Sequence, residues 1–239
     1  MSATAADADL ARVGAAVSEV VERIFATVAA VRAAALRSPA RDGFATGRPV
    51  LGDDGGAALL EPGQLAVGLG LVGAPSAERG VPLRLEWWQV DPDSRLRAFD
   101  PDLRPTSVGY YDYTTAEWFD VPSRTGRRHV VGPHVDVHGT GRYLLTFTEP
   151  VVVDGEFVAV AGADVPVRRF ESHLLHALGS LPASFLLLNA EGRVVFSTVP
   201  RWLVGGLVPP DLGTAGQAAE VPGAPWRLLL VEAGSVLIA

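Results

Sequence analysis

Aromatic and acidic side chains crowd one short stretch of this chain. Residues 110–122 read YYDYTTAEWFDVP, which sets Tyr110, Tyr111, Tyr113, Trp118 and Phe119 among Asp112, Glu117 and Asp120. Core segments seldom mix aromatics with that much charge. Aromatic walls with a few convergent polar groups are the usual make-up of a small-molecule pocket. A cation over an indole or phenol face gains about 0.5–2 kcal/mol, and a buried carboxylate facing it supplies the charge partner. One or two of these aromatics must serve as core, because a helix docking on a sheet needs them. The rest are candidate walls.

A second group could hold a metal. His134, Asp136 and His138 alternate on an apparent strand, so all three would share a face. Imidazoles flanking a carboxylate bind Zn or Fe. The competing reading makes His138 a turn residue, since GTGR follows it, and lets His134 line an organic pocket. The latter is expected, so no metal and no cofactor are assigned; a metal-dependent enzyme built on these three residues is the alternative. His129 is a further, weaker ligand candidate.

Other chemistries lack residues. There is no cysteine, so disulfides and thiolate metal sites are excluded. All 20 basic residues are Arg, which removes Schiff-base and P-loop lysines. GLGLVG at 68–73 fits GxGxxG formally, but Ala74-Pro75 follows where a dinucleotide fingerprint needs a helix; a glycine-rich strand is expected. No serine occupies a G-x-S-x-G elbow. The net charge of −7 opposes nonspecific nucleic-acid binding.

The elements that position these residues can be read from periodicity and turn chemistry. With 239 residues, 48% of them hydrophobic, the chain can bury one sizeable core or two small ones. Mean hydropathy is +0.24, spread over Ala, Val, Leu and Gly. No apolar run approaches the roughly 20 residues of a membrane span, and no basic-then-apolar leader opens the chain. A cytoplasmic location is therefore expected. Residues 5–38 form a helix: Leu10, Val13, Val17, Val20, Val21, Ile24, Val28 and Val31 recur at three- and four-residue steps. Pro39 and Gly43 end that pattern. The helix reads both as a scaffold for its own domain and as a dimer helix, and a homodimer is expected.

A loop with a short helical piece follows over 40–63, then strands over 65–72, 83–90 and 95–99. Asp154-Gly155 joins strands 151–153 and 156–161, and Glu191-Gly192 joins 185–188 and 194–197. Residues 166–178 read as a linker helix, and 226–231 as a last strand. The plan is α+β with two antiparallel sheets. Its parts are an N-terminal helix (1–39), a ligand-binding lobe (40–165), and a linker helix with a smaller lobe (166–239).

The order of motifs resembles the double Cache family, the extended PAS-like sensor module. The matching pieces are LEWW at 85–88, YDYTTAEWF at 111–119, GPHVD at 132–136, TFTEPV at 146–151, GADV at 162–165 and FLLLNAEGRVVFS at 185–197. The resemblance covers most of the chain. It implies a long N-terminal helix followed by two PAS-like antiparallel sheets, with the second lobe small. Relatives that sense amino acids hold the ligand ammonium with aromatic faces and the Asp of a GxD motif; Tyr111, Trp118, Phe119 and Asp164 occupy those positions. They hold the carboxylate with an Arg two places before the Trp, where this chain has Ala116, and His134 stands where GPYVD has Tyr.

A carboxylate without that Arg would face Asp164, Asp112, Glu117 and Asp136, and burying an unpaired charge costs several kcal/mol. The expected ligand is a small cationic or zwitterionic amine. Asp164 would pair its ammonium, Tyr111, Trp118 and Phe119 would box it, and His134 and Asp136 would tune the rim. Glu86 and, by alternation, Trp88 are expected on the same face. Family members are usually extracytoplasmic and tethered to an output domain. Here a free sensor module is expected, read by a separate signalling or regulatory partner, with neither nucleic acid nor membrane span. An adaptor with a vestigial pocket is the other alternative. The second lobe, small and carrying Pro209-Pro210, is expected to have no pocket.

Overall fold

A computed structural model describes residues 3–38, 50–76, 78, 80–91, 93–137, 141–180, 183–214 and 217–231. Its elements run α1 (Ala3–Arg37), a 3-10 helix (Asp53–Leu60), β1 (Gly68–Gly73), β2 (Arg84–Val90), β3 (Leu96–Phe99), α2 (Glu117–Thr125), β4 (His129–Val135), β5 (Tyr143–Val153) and β6 (Glu156–Pro166). Then come α3 (Val167–Leu178), β7 (Ser184–Leu188), β8 (Val194–Ser197), α4 (Pro210–Thr214), β9 (Ala218–Val221) and β10 (Trp226–Val231). One sheet has six strands in the order β3-β2-β1-β6-β5-β4, the other four in the order β8-β7-β10-β9. The α+β plan, with its long first helix and two antiparallel sheets, is the one the sequence predicts.

Two compact units divide the chain. The larger comprises residues 24–131 and 135–166, the smaller residues 1–23, 132–134 and 167–239. The helical stripe read from the sequence is buried along its whole length, from Leu10 to Val31. Those residues serve the chain's own packing, which is the scaffold reading of α1.

In the larger unit the register assigns every side chain to a face. Directly opposed residues share a face, and successive ones alternate. Asp164, Gly68 and Gln89 form one row, and Gly162, Gly70 and Trp87 the next row of the same face. We call it the front. Ala163, Leu69 and Trp88 point to the back, with Phe147 opposite Ala163. There Phe147 meets Phe25 of α1 edge-on at 5.3 Å. The Arg128 guanidinium lies 4.3 Å from the Phe25 ring centre, and Arg32 Nε donates to the Pro150 carbonyl at 3.1 Å. α1 thus covers the back and leaves the front to other elements. The β5–β6 hairpin turns through Asp154 (φ 51°) and Gly155 (φ 83°), the two left-handed residues a type I′ turn requires.

The smaller unit packs its sheet on both sides. Phe170 of α3 contacts Trp226 edge-on at 5.5 Å. On the other face Leu186, Leu188, Val194, Val199, Val208, Leu229 and Val231 form a core, with Trp202, Val204 and Leu212 against it. Periodicity did not announce α2, α4 or β9. Pro122 lies inside α2 and reads as a breaker, although Asp120 and Arg124 pair at 2.8 Å one turn apart and Gly126 (φ 65°) closes the helix by donating to the Pro122 carbonyl.

Candidate functional site

Glycines make the floor of the front face. A methyl group on Gly68 would come 2.8 Å from Trp87 Nε1 and 3.3 Å from Asp164 Oδ2, and one on Gly162 3.2 Å from Trp87 Cη2. The indole of Trp87 therefore extends over the row between them, and its N–H and the Asp164 carboxylate converge above Gly68. GLGLVG is a close-packed central strand, with no helix at its end. At Gly70 a methyl would lie 2.0 Å from the Glu86 carbonyl oxygen, so only glycine lets β1 and β2 pair this closely.

Asp164 is the electrostatic centre. Its Oδ1 accepts from Thr146 Oγ1 at 2.7 Å, the residue directly opposite on β5. Burial pushes the carboxyl up to about 7; the Thr146 hydrogen bond pulls it down, and the charge of Asp136 adds to the rise. Tyr111 is shifted well above a normal phenol by burial first, then by Asp136 and Asp164. These mutual effects bring Asp136, Asp164 and Tyr111 into one acidic corner.

The aromatics divide between wall and core. Tyr113 is fully buried; its hydroxyl donates to the Gly73 carbonyl at 2.6 Å and accepts from the Arg84 N–H at 2.7 Å. Burial pushes that phenol up to about 12. Phe119, 5% exposed, is wedged between Tyr113 at 5.2 Å and Phe157 at 5.7 Å. Tyr111 and Trp118 pack against this cluster yet keep accessible surface, as does Trp87. They are the half-buried rim of the cluster, and Phe119 lies behind them.

Several expected site residues lie elsewhere. Glu86 and Trp88 are on the back of the sheet, away from Asp164. The Glu86 carboxylate accepts from the Val50 and Leu51 N–H groups at 2.8 Å each and pairs with Arg84. Trp88 packs beneath the 3-10 helix, where a methyl on Gly56 would lie 2.5 Å from its Cβ. Alternation chose between the two tryptophans on the premise that Glu86 faced the site; Glu86 is committed to the backbone of residues 50–51, and Trp87 takes the place instead. Asp112 is bound by Thr114, through its N–H at 2.9 Å and its hydroxyl at 2.6 Å. Glu117 pairs with His129 at 2.7 Å. Of the four acids expected together, Asp136 and Asp164 remain.

His134 belongs, with Gly132 and Pro133, to the smaller unit, where Asn189 Nδ2 donates to the Gly132 carbonyl at 3.1 Å. His138 lies outside the described residues. Among the described residues no three His, Cys, Asp or Glu side chains are placed to hold a metal ion. Nor is any helix among them long and apolar enough to cross a membrane.

No family model matches the sequence, and no curated protein does. Solved structures match over nearly the whole chain. The extracellular domain of the putative histidine kinase soHK1S-Z6 aligns with a TM-score of 0.64 at 15% identity, over 95% of this chain and 92% of that one. Methyl-accepting chemotaxis protein X aligns at 0.61 and 17% identity, over 95% and 94%. The ligand-binding domain of the Pseudomonas aeruginosa PAO1 amino acid chemoreceptor PctC, in complex with GABA, aligns at 0.54 and 17% identity, over 93% and 96%. The soHK1S-Z6 domain is extracellular, a location other than the cytoplasmic one expected of this chain from its sequence. This chain, with its long helix, six-stranded sheet and four-stranded sheet, superposes on these sensory domains over nearly its whole length: the protein has the fold of a Cache-type sensor domain.

Proposed function

We propose that the front face of the six-stranded sheet binds a small amine or amino compound, and that the chain works as a sensor module whose ligand state a separate partner reads. The observation that carries this is Asp164. It is a half-buried carboxyl on the front face, held by Thr146, with a second acid acting on it and no ion pair among the described residues. An ammonium supplies the missing charge. It sits against Asp164 and Asp136, with the faces of Tyr111, Trp118 and Trp87 around it. Ala116 occupies the N-cap of α2, where amino-acid sensors of this fold carry Arg, so a ligand carboxylate has no cation there. That favours a plain cation, or an amino compound whose carboxylate lies at the solvent end. GABA, the compound in the PctC complex, separates its two charges in that way. Two copies pairing along the exposed side of α1 are part of the same reading.

The test is a thermal-shift screen of the purified chain against putrescine, histamine, betaine and the standard amino acids, repeated on Asp164→Asn. Ligand at about a hundred times its Kd adds roughly 2.7 kcal/mol, which moves Tm by several degrees. Amines shift the parent and leave the variant unmoved. Shifts that survive intact in Asp164→Asn overturn the assignment.

A further inference from the structure

The smaller unit has a depression of its own, contrary to the expectation of none. Its volume is about 550 Å³, and its lining includes Leu188, Glu191, Val208, Glu220, Trp226 and Arg227, with Pro209, Pro210 and Pro225. Small-molecule sites span roughly 300–1,000 Å³, so the size suits a compact metabolite. Leu188 and Val208 are nearly inaccessible and give an apolar base, while the Trp226 indole turns to the other face of the sheet, against Phe170. The prolines form apolar walls.

Two opposite charges face this space without meeting. Arg227 on β10 stands directly opposite Glu220 on β9, and opposite Leu188 on β7 on its other side. The three therefore share the face that lines the depression. Opposed charges on paired strands ordinarily attract each other into contact. Here they make no ion pair, and neither side chain has another hydrogen-bond or charge partner among the described residues. The other polar groups nearby are engaged. Asn189 Oδ1 accepts the N–H groups of Glu191 and Arg193 at 3.1 and 2.8 Å, and Arg193 donates to the Gly205 carbonyl at 2.6 Å. Glu191 lies 4.0 Å from Arg193.

We propose that this depression is a second ligand site, and that it takes a small zwitterion with an aliphatic body. Its carboxylate docks on the planar fork of Arg227, which matches a carboxylate through two parallel hydrogen bonds. Its ammonium faces Glu220, and its body covers Leu188, Val208 and the prolines. A simple anion would meet the Glu220 carboxylate, and a simple cation would meet the Arg227 guanidinium. A ligand bearing both signs pairs with each of them. None of these residues belongs to the front-face site, so the inference stands apart from that reading.

The experiment is amide NMR of the full chain, parent and Asp164→Asn, titrated with L-leucine, L-leucinamide and N-acetyl-L-leucine. Leucine gives saturable shifts at Leu188, Glu220 and Arg227 in both proteins; the two single-charge analogues bind at least about tenfold more weakly. Arg227→Gln and Glu220→Gln each weaken leucine by at least about tenfold at unchanged Tm. Four results overturn the site: no saturable shift with leucine, leucinamide binding as well as leucine, unaltered affinity in Arg227→Gln, or shifts that vanish in Asp164→Asn.

Discussion

At the scale of the residue, Asp164 is governed by one donated hydrogen bond and one neighbouring charge, and each can be removed alone. Thr146 lowers its pKa, whereas burial and Asp136 raise it. Thr146→Val takes away the donor, so the carboxyl moves further up and is less often ionised near neutrality. A hydrogen bond to a charged group is worth about 1.5–3 kcal/mol, so amine affinity at pH 7 should fall about tenfold or more. Part of the loss should return at pH 9, where the acid is ionised in either protein. Calorimetric titration at the two pH values checks this. An equal loss at both would mean that Thr146 shapes the site without tuning its charge. The acid itself was legible in the sequence as the end of GADV. What the sequence withheld was its surroundings: Asp112 and Glu117 are near it in the list of acids, but their carboxylates are taken by Thr114 and His129.

At the scale of the element, β1 does two jobs through two glycines on one face. Gly68→Ala puts a methyl 2.8 Å from the indole nitrogen of Trp87, the far end of a side chain that can swing, and 3.3 Å from Asp164. Stability should fall by only about 1 kcal/mol, while amine binding drops at least tenfold because the methyl fills the floor. Gly70→Ala puts its methyl 2.0 Å from the Glu86 carbonyl, which is backbone and cannot yield. The strands must part, and urea unfolding should show a loss of about 3 kcal/mol or more. If the two variants behaved alike, the floor would not be where Trp87 and Asp164 converge. The elements themselves were mostly readable, because the stripe of α1, the Asp154-Gly155 turn and the strand runs each have a local signature. Faces were not. Alternation fixes the parity of Trp87 and Trp88 but not the sign, which comes from the register of β2 on β1 and from the backbone groups that claim Glu86.

At the scale of the whole molecule, the order of motifs made the double-sheet fold recognisable, while the depression in the smaller unit left no motif at all. It depends on Arg227, Glu220 and Leu188, which come from three strands and meet only through pairing. Protonation is where one side chain bears on the stability of the entire fold. Asp164 is raised from 3.8 to about 7, so between those values the folded chain holds a proton that the unfolded chain has released. Stability from this group is complete below about pH 4 and declines as pH rises to 7, the reverse of an acid in a salt bridge. The loss is at most about 4 kcal/mol, at 1.36 kcal/mol for each pKa unit. Asp164→Asn cannot ionise and should be the more stable protein at pH 8, with the difference shrinking towards pH 5. A bound amine cancels the slope: it selects the ionised acid, so its binding constant should grow about tenfold per pH unit up to 7 and then level off, offsetting the loss seen without it. Denaturant unfolding at pH 5, 6, 7 and 8, of both proteins with and without putrescine, separates these effects. Parallel curves for parent and variant would mean that Asp164 is not the acid on which the amine closes.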